Sequence, residues 1–212
     1  MDLSAIYKAV IEGSVPSVEQ GVKQALEENI KPDKILNEAL IAAMTEVGKR
    51  FQSGEFFVPE MLISARAMKA GVEMLRPLFV EAGIEPIGKV IIGTVLGDMH
   101  DIGKNLVGLM LEGAGFEVKD LGVDVSAEKF VTAVKEEKPH VLGMSALLTT
   151  TMTSIEEITK ALEEAGLRKD LKVIAGGACL TEETAIRFGA DGYAPDAASA
   201  VDKIKELTGL GT

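Results

Sequence analysis

Gly97-Asp98-Met99-His100-Asp101-Ile102-Gly103-Lys104-Asn105 stands between a β-branched run, Val90-Ile91-Ile92-Gly93-Thr94-Val95-Leu96, and an apolar run, Leu106-Val107-Gly108-Leu109-Met110-Leu111. A buried strand that breaks into a glycine-bounded polar turn and then enters a helix begins a β–α unit. In a sheet flanked by helices, ligands bind outside the carboxyl ends of the strands, where this turn lies. A carboxylate two residues before a histidine also suits metal ligation. The imidazole binds through one nitrogen while the carboxylate holds the other N–H, which fixes the tautomer and raises ligand basicity. The chain has two histidines in all, which excludes a multi-histidine cage. A single protein ligand implies a metal that arrives inside a prosthetic group. Phosphate chemistry fails on spacing: five residues separate Gly97 from Gly103, and Asn105 stands where a P-loop needs Ser or Thr. No G-x-G-x-x-G follows the strand either. Taken alone, the turn is equally a surface loop with an idle His100.

Downstream of the turn, short β-branched runs alternate with helical patterns. Strands are expected at 89–96, 116–121, 140–145, 171–175 and 190–194, and helices at 103–114, 126–137, 152–165, 180–188 and 197–208. Alternating β and α units with apolar central strands imply a parallel sheet covered on both faces. Five strands fit a flavodoxin-like, Rossmann-like doubly wound domain, whose switch point lies at the end of the first strand, where His100 sits.

Upstream, residues from about 3 to 83 read as helices only. Leu3, Ile6, Tyr7 and Val10 mark a first stripe. Val18, Val22 and Ala25 mark a second, opened by Pro16 and a Ser17…Gln20 capping-box pattern. Leu36, Leu40, Met44, Val47 and Phe51 form a third after Pro32, and Met61, Ala65, Met68, Val72, Leu75 and Phe79 a fourth from near Pro59. Four stripes with short polar breaks specify a four-helix bundle. The fold class is therefore α/β, with an N-terminal four-helix bundle over 1–84 and a five-stranded parallel-sheet domain over 88–212. The linker Gly83-Ile84-Glu85-Pro86-Ile87-Gly88 is the expected hinge.

Composition narrows the function classes. The chain has 212 residues, 47% hydrophobic residues and 22 glycines, which fits an ordinary globular interior. No apolar run is long enough for a bilayer, and the amino terminus lacks a signal-peptide pattern. One cysteine, Cys179, rules out an intramolecular disulfide; a cytoplasmic protein without membrane contact is the expectation. A formal charge of −11 argues against a sequence-independent grip on nucleic acid. His140, after Pro139, and Cys179, with no nearby base, read as structural.

Asp98-x-His100-x-x-Gly103 resembles the fingerprint of cobalamin-binding domains that hold the corrinoid base-off, with a protein histidine below cobalt. Val141-Leu142-Gly143-Met144-Ser145-Ala146-Leu147-Leu148-Thr149 resembles the family's serine-x-leucine segment, and Ile174-Ala175-Gly176-Gly177-Ala178 its double-glycine segment. Phe51-Gln52-Ser53-Gly54-Glu55-Phe56-Phe57-Val58-Pro59-Glu60-Met61, with Ser64-Ala65-Arg66-Ala67-Met68-Lys69, resembles the cap of cobalamin-dependent methionine synthase. It is still more similar to the small corrinoid proteins of methyltransferase systems. The ordered blocks span nearly the whole chain and displace the idle-loop reading.

The resemblance implies roles residue by residue. His100 is the lower cobalt ligand, and Asp98 accepts a hydrogen bond from its second ring nitrogen. Thr151 matches the hydroxyl residue that supports that carboxylate, Thr here where methionine synthase has Ser. Gly97, Met99, Asp101, Ile102 and Gly103 complete the turn beneath the corrin. Ser145, Leu147 and Thr149 line the slot for the displaced nucleotide tail, with Gly176, Gly177 and Ala178 along its wall. Ala197 matches a further contact, and Tyr193 and Asp196 join it by proximity. Phe51, Val58 and Met61 match residues that cover the upper cobalt face; the alternative is ordinary bundle core, since Phe51 continues the third stripe and Met61 begins the fourth.

The implied function is a methyl carrier. Cobalamin or a related corrinoid cycles between Co(I) and methyl-Co(III), with methylcobalamin as the loaded state. Its partners are a substrate-specific methyltransferase, an acceptor methyltransferase acting on tetrahydrofolate or a thiol coenzyme, and a reductive activation protein. The chain itself is a corrinoid subunit with little turnover of its own. The alternative is a cobalamin-binding sensor or regulatory module, which an adenosyl upper ligand would mark.

Overall fold

The computed structural model describes residues 3–82 and 86–211, so residues 83–85 of the expected hinge lie outside it. The chain divides into two compact units, one centred on the amino-terminal helices and the other on a sheet.

The first unit comprises α1 (Ser4–Ile11), α2 (Val15–Glu27), α3 (Pro32–Ile35), α4 (Ala42–Gln52) and α5 (Val58–Ala82), with a π-helical stretch, Leu36–Ile41, joining α3 to α4. The apolar stripes meet inside it. Ile6, Val10, Val18, Val22, Ala25, Leu40, Met44, Val47, Met61, Met68 and Leu75 are all buried. Full burial of one such large side chain is worth about 1.5–3 kcal/mol, enough to hold together helices that are marginal alone.

Two local expectations change. The capping box at Ser17 does not form, because α2 starts earlier: Ser14 is the extended N-cap residue and Pro16 lies in the first turn. Ser17 is thus inside the helix, where its Oγ accepts a hydrogen bond from Ser14 Oγ at 2.7 Å. Proline suits that place, since its missing N–H has no helical partner there and its φ is already helical. The third stripe is also uneven. The π stretch widens the helix, placing Ile35 and Ala39 beside Leu40 in the core and leaving Leu36 half-buried.

The second unit carries β1 (Lys89–Thr94), β2 (Glu117–Asp120), β3 (Val141–Ser145), β4 (Lys172–Gly176) and β5 (Gly192–Tyr193) in the order β2-β1-β3-β4-β5. Every neighbouring pair is parallel. Helices α6 (Ile102–Gly113), α7 (Ala127–Glu137), α8 (Ser154–Glu164), α9 (Glu182–Arg187) and α10 (Ala197–Thr208) alternate with the strands. Central strands read as continuous apolar runs because both faces are covered: Val90, Ile91, Ile92, Val141, Leu142, Val173 and Ile174 are buried. The edge strand β5 is shorter than expected. Its ladder with β4 covers Gly192 and Tyr193, while Asp191 donates its N–H to Val173 O at 2.7 Å and accepts Val173 N–H on its carboxylate at 2.6 Å, beside Arg168. From β1 the chain moves outward to β2 and returns on the other side as β3. The loops after β1 and β3 therefore flank the switch point.

Candidate functional site

Asp98 is the hub of the turn after β1. Its side chain is fully buried, and five donors converge on its two oxygens. His100 N–H reaches Oδ1 at 3.0 Å, and His100 Nδ1 lies 2.8 Å from the same atom. Leu147 N–H, Leu148 N–H and Thr151 Oγ1 approach Oδ2 at 2.8, 3.3 and 2.8 Å. Burial pushes the Asp98 carboxyl up, but hydrogen bonds from the His100 and Leu147 amides, the His100 ring and Thr151 outweigh it. The net result holds the carboxyl well below the usual carboxylate range. An ionised carboxylate only accepts, so the Thr151 hydroxyl hydrogen goes to Asp98 rather than to Leu148 O, 3.0 Å away.

The same logic sets the imidazole tautomer. Facing an acceptor, Nδ1 carries the hydrogen, which leaves Nε2 with a free lone pair on a side chain that is 52% exposed. The backbone of His100 is also fixed, since Thr94 Oγ1 donates to its carbonyl at 3.0 Å. The turn and the loop after β3 also carry exposed apolar side chains that a hydrated surface would ordinarily hide: Leu96, Met99 and Ile102 near His100 in sequence, and Leu147 and Leu148, whose N–H groups bond Asp98. Gly103 faces open space, with no atom within 4 Å of where a Cβ would be. Among the described residues, no group of three or more His, Cys, Asp and Glu could hold a metal. A single oriented imidazole on a turn rich in exposed apolar side chains fits a flat, metal-bearing macrocycle and does not fit a bare ion.

The comparisons agree with that geometry. The family pattern described as B12 binding domain matches residues 88–202, and a second pattern of the same description matches residues 3–76. The chain belongs to the B12-binding corrinoid protein family. Dimethylamine corrinoid protein 1 of Methanosarcina acetivorans is 43% identical over 206 residues, covering 97% of this chain and 96% of the relative. Trimethylamine corrinoid protein 2 of Methanosarcina mazei is 43% identical over 191 residues, 89% and 88% of the two chains. Among solved structures, the methanol:cobalamin methyltransferase complex of Methanosarcina barkeri superposes with a TM-score of 0.88 at 33% identity. That match covers 98% of this chain and 79% of the other. A cobalamin-binding protein from Desulfitobacterium hafniense gives 0.82 at 35% identity, covering 97% and 98%.

The corrinoid-family residues named from sequence fall into four groups. Gly97, Asp98, Met99, His100, Asp101, Ile102 and Gly103 form the turn, and Leu147 and Thr151 meet it through Asp98. Ser145, Thr149, Gly176, Gly177 and Ala178 lie at the carboxyl ends of β3 and β4 or just beyond. The double glycine answers first to the protein's own backbone. A Cβ on Gly177, at φ +137°, would lie 1.8 Å from Ala146 O, and one on Gly176 2.9 Å from Ala194 O. Tyr193 ends β5. Asp196 caps α10, accepting from Ser199 N–H at 2.8 Å, and Ala197 is buried behind it. In the helical unit, Met61 is buried while Phe51 and Val58 are half-buried; Phe57 is exposed. The remaining reactive group, Cys179, is quiet: burial pushes its thiol up, and Sγ lies 3.4 Å from Ala146 O.

Three residues that no sequence motif marks also support the turn. Thr94 holds the His100 carbonyl. Lys104, buried at the start of α6, pairs with Asp120 at the end of β2. Asp124 Oδ1 accepts Gly97 N–H at 2.7 Å. A buried lysine is rare unless paired, but nothing local distinguishes Lys104 from a solvated one.

Proposed function

We propose that this corrinoid protein is a methyl carrier that binds its cofactor base-off, with His100 Nε2 as the lower axial ligand. The carrying observation is the imidazole whose Nδ1 is held by a buried, ionised carboxylate while Nε2 faces outward. A corrinoid bound there supplies a cobalt able to accept a methyl group from one enzyme and give it to another.

The chain's own residues ligate, orient and exclude. Asp98 fixes the ring and raises the basicity of Nε2, and Thr151 fixes Asp98. Asp98 stays ionised as it holds the ring, because its carboxyl is kept below the usual range. Leu96, Met99, Ile102, Leu147 and Leu148 keep water from the ligated face. Ser145, Thr149, Gly176, Gly177 and Ala178, with Tyr193, Asp196 and Ala197, take the displaced nucleotide tail. Phe51, Val58 and Met61 keep the covering role that the resemblance assigns them.

The partners are a substrate-specific methyltransferase, an acceptor methyltransferase serving tetrahydrofolate or a thiol coenzyme, and a reductive activation protein. A methylated amine is the first donor class to test. Relatives named for dimethylamine and trimethylamine stand at 43% identity, against 33% for the methanol complex.

Electron paramagnetic resonance of the protein reconstituted with Co(II) cobalamin tests the ligation. Nitrogen-15 histidine labelling should turn the superhyperfine triplet into a doublet, and His100→Ala should abolish it. A triplet that survives labelling means that the cofactor's own base ligates cobalt, and the proposal fails.

A further inference from the structure

The His100 turn is held from two sides, and the β2 side has no counterpart in the roles assigned so far. Toward β3, the Asp98 side chain is tied to Leu147, Leu148 and Thr151. Toward β2, Asp124 makes two reciprocal bonds: Oδ1 accepts Gly97 N–H at 2.7 Å, and its own N–H donates to Asp98 O at 3.0 Å. Its neighbours zip the loop to the end of β1, with Thr94 N–H on Gly122 O and Val125 N–H on Thr94 O, both at 3.0 Å. Asp124 does this at φ +53°, in the left-handed region that L side chains rarely enter. Glycine would adopt that backbone freely, and Gly122 already stands two residues away at φ +88°. Aspartate tolerates this backbone better than most L residues and adds a carboxylate that glycine would not. Its carboxylate gives Gly97 a charge-assisted bond.

We infer that Asp124 is a positioning residue for His100, clamping the turn so that the imidazole is presented at one fixed height. Asp124 and Gly97 are both exposed, so water can replace the lost bond and the fold tolerates its removal. What suffers is the narrow distribution of turn conformations, and with it the ligation equilibrium. The inference rests on the His100 ligation proposed above.

The test compares Asp124→Gly with Asp124→Asn. Glycine removes the acceptor and relieves the backbone; asparagine keeps an acceptor oxygen and tolerates the left-handed region. In the Co(II)-loaded protein, Asp124→Gly should lower the equilibrium constant for histidine ligation by about threefold to tenfold, the worth of one hydrogen bond. It should also shift the Co(II)/Co(I) potential positively, a tenfold loss corresponding to about 59 mV for one electron. Asp124→Asn should stay near the native values. In the cofactor-free protein, amide exchange at Gly97 should speed up in the glycine variant only. A native protein without histidine coupling overturns the ligation reading itself. Native coupling with an unchanged Asp124→Gly, or a change in thermal stability alone, overturns the role of Asp124.

Discussion

The two histidines occupy opposite rims of one sheet, and their Nδ1 atoms do opposite things. At the carboxyl rim, His100 Nδ1 faces the Asp98 carboxylate at 2.8 Å and donates. At the amino rim, His140 Nδ1 accepts Lys89 N–H at 3.0 Å, so its hydrogen sits on Nε2. The first leaves an outward lone pair; the second spends its lone pair on the start of β1. The surroundings differ in the same sense. The carboxyl rim carries exposed apolar side chains and one buried charge. The amino rim is laced with surface pairs, Lys89 with Glu117 and Glu137, and Lys119 with Glu137. In a parallel sheet the strand ends are not equivalent, and here one rim presents an outward imidazole lone pair while the other holds the edge together.

Exchanging losses between the rims gives the largest contrast. His100→Ala should abolish histidine ligation and, through the lost donor to Asp98, cost about 1 kcal/mol of folding stability. His140→Ala should leave the coupling untouched and cost at most about 1 kcal/mol, since one exposed backbone bond is lost. Chemical unfolding combined with the spectroscopy above checks both, and loss of coupling in His140→Ala would break the comparison.

Asp98→Asn comes next, because it should weaken ligation while damaging stability more than the other changes. An amide must turn a donor toward groups that already donate, so stability should fall by about 2–4 kcal/mol and ligation should weaken. The pH dependence has a definite sign. The native Asp98 carboxyl lies below its ordinary value of about 3.9, so its contribution is present at neutral pH. It is lost as pH falls through the ordinary value toward the native one. Urea midpoints from pH 3 to 7 should show a flatter acid limb in Asp98→Asn.

Thr151 sharpens the point at smaller scale. Thr151→Val removes one of the donors to Asp98 and should cost about 1 kcal/mol, whereas Thr151→Ser keeps the hydroxyl and should match the native protein. Equal losses in both variants would mean that the methyl group, not the hydrogen bond, matters.

The smallest effect belongs to Glu137→Gln. Hydrogen bonds from Lys119 and then Lys89 lower its carboxyl from an ordinary 4.5 to about 2. Its contribution is therefore present above pH 4.5 and fades toward pH 2. As a solvated pair it should move the unfolding midpoint less than His140→Ala does, and high salt should erase the difference.

The parts of this structure that sequence spelled out are those with a local rule. Strand and helix order followed from period, and the Asp98-x-His100 pair from a two-residue spacing that puts carboxylate and ring within reach. What sequence did not reveal lies in partners that only folding brings together. Asp124 meets Gly97 across 27 positions, and Lys104 meets Asp120 across 16. Thr94 looks like any β-branched strand residue until its hydroxyl is seen on the His100 carbonyl. The π stretch at Leu36–Ile41 has no residue signature, and the Ser14 cap was hidden by a better-looking pattern at Ser17.

Gly103 carries a warning for protein engineering. It lies in the first turn of α6, with nothing within 4 Å of the place an added methyl group would take. Alanine there would be accommodated by the bare fold and would favour the helix by up to about 1 kcal/mol. A thermostability screen on cofactor-free protein would therefore select that change, while a screen for corrinoid uptake would reject it. If the corrinoid rests on this turn as proposed, optimising the chain for robustness alone would steadily erase its seat.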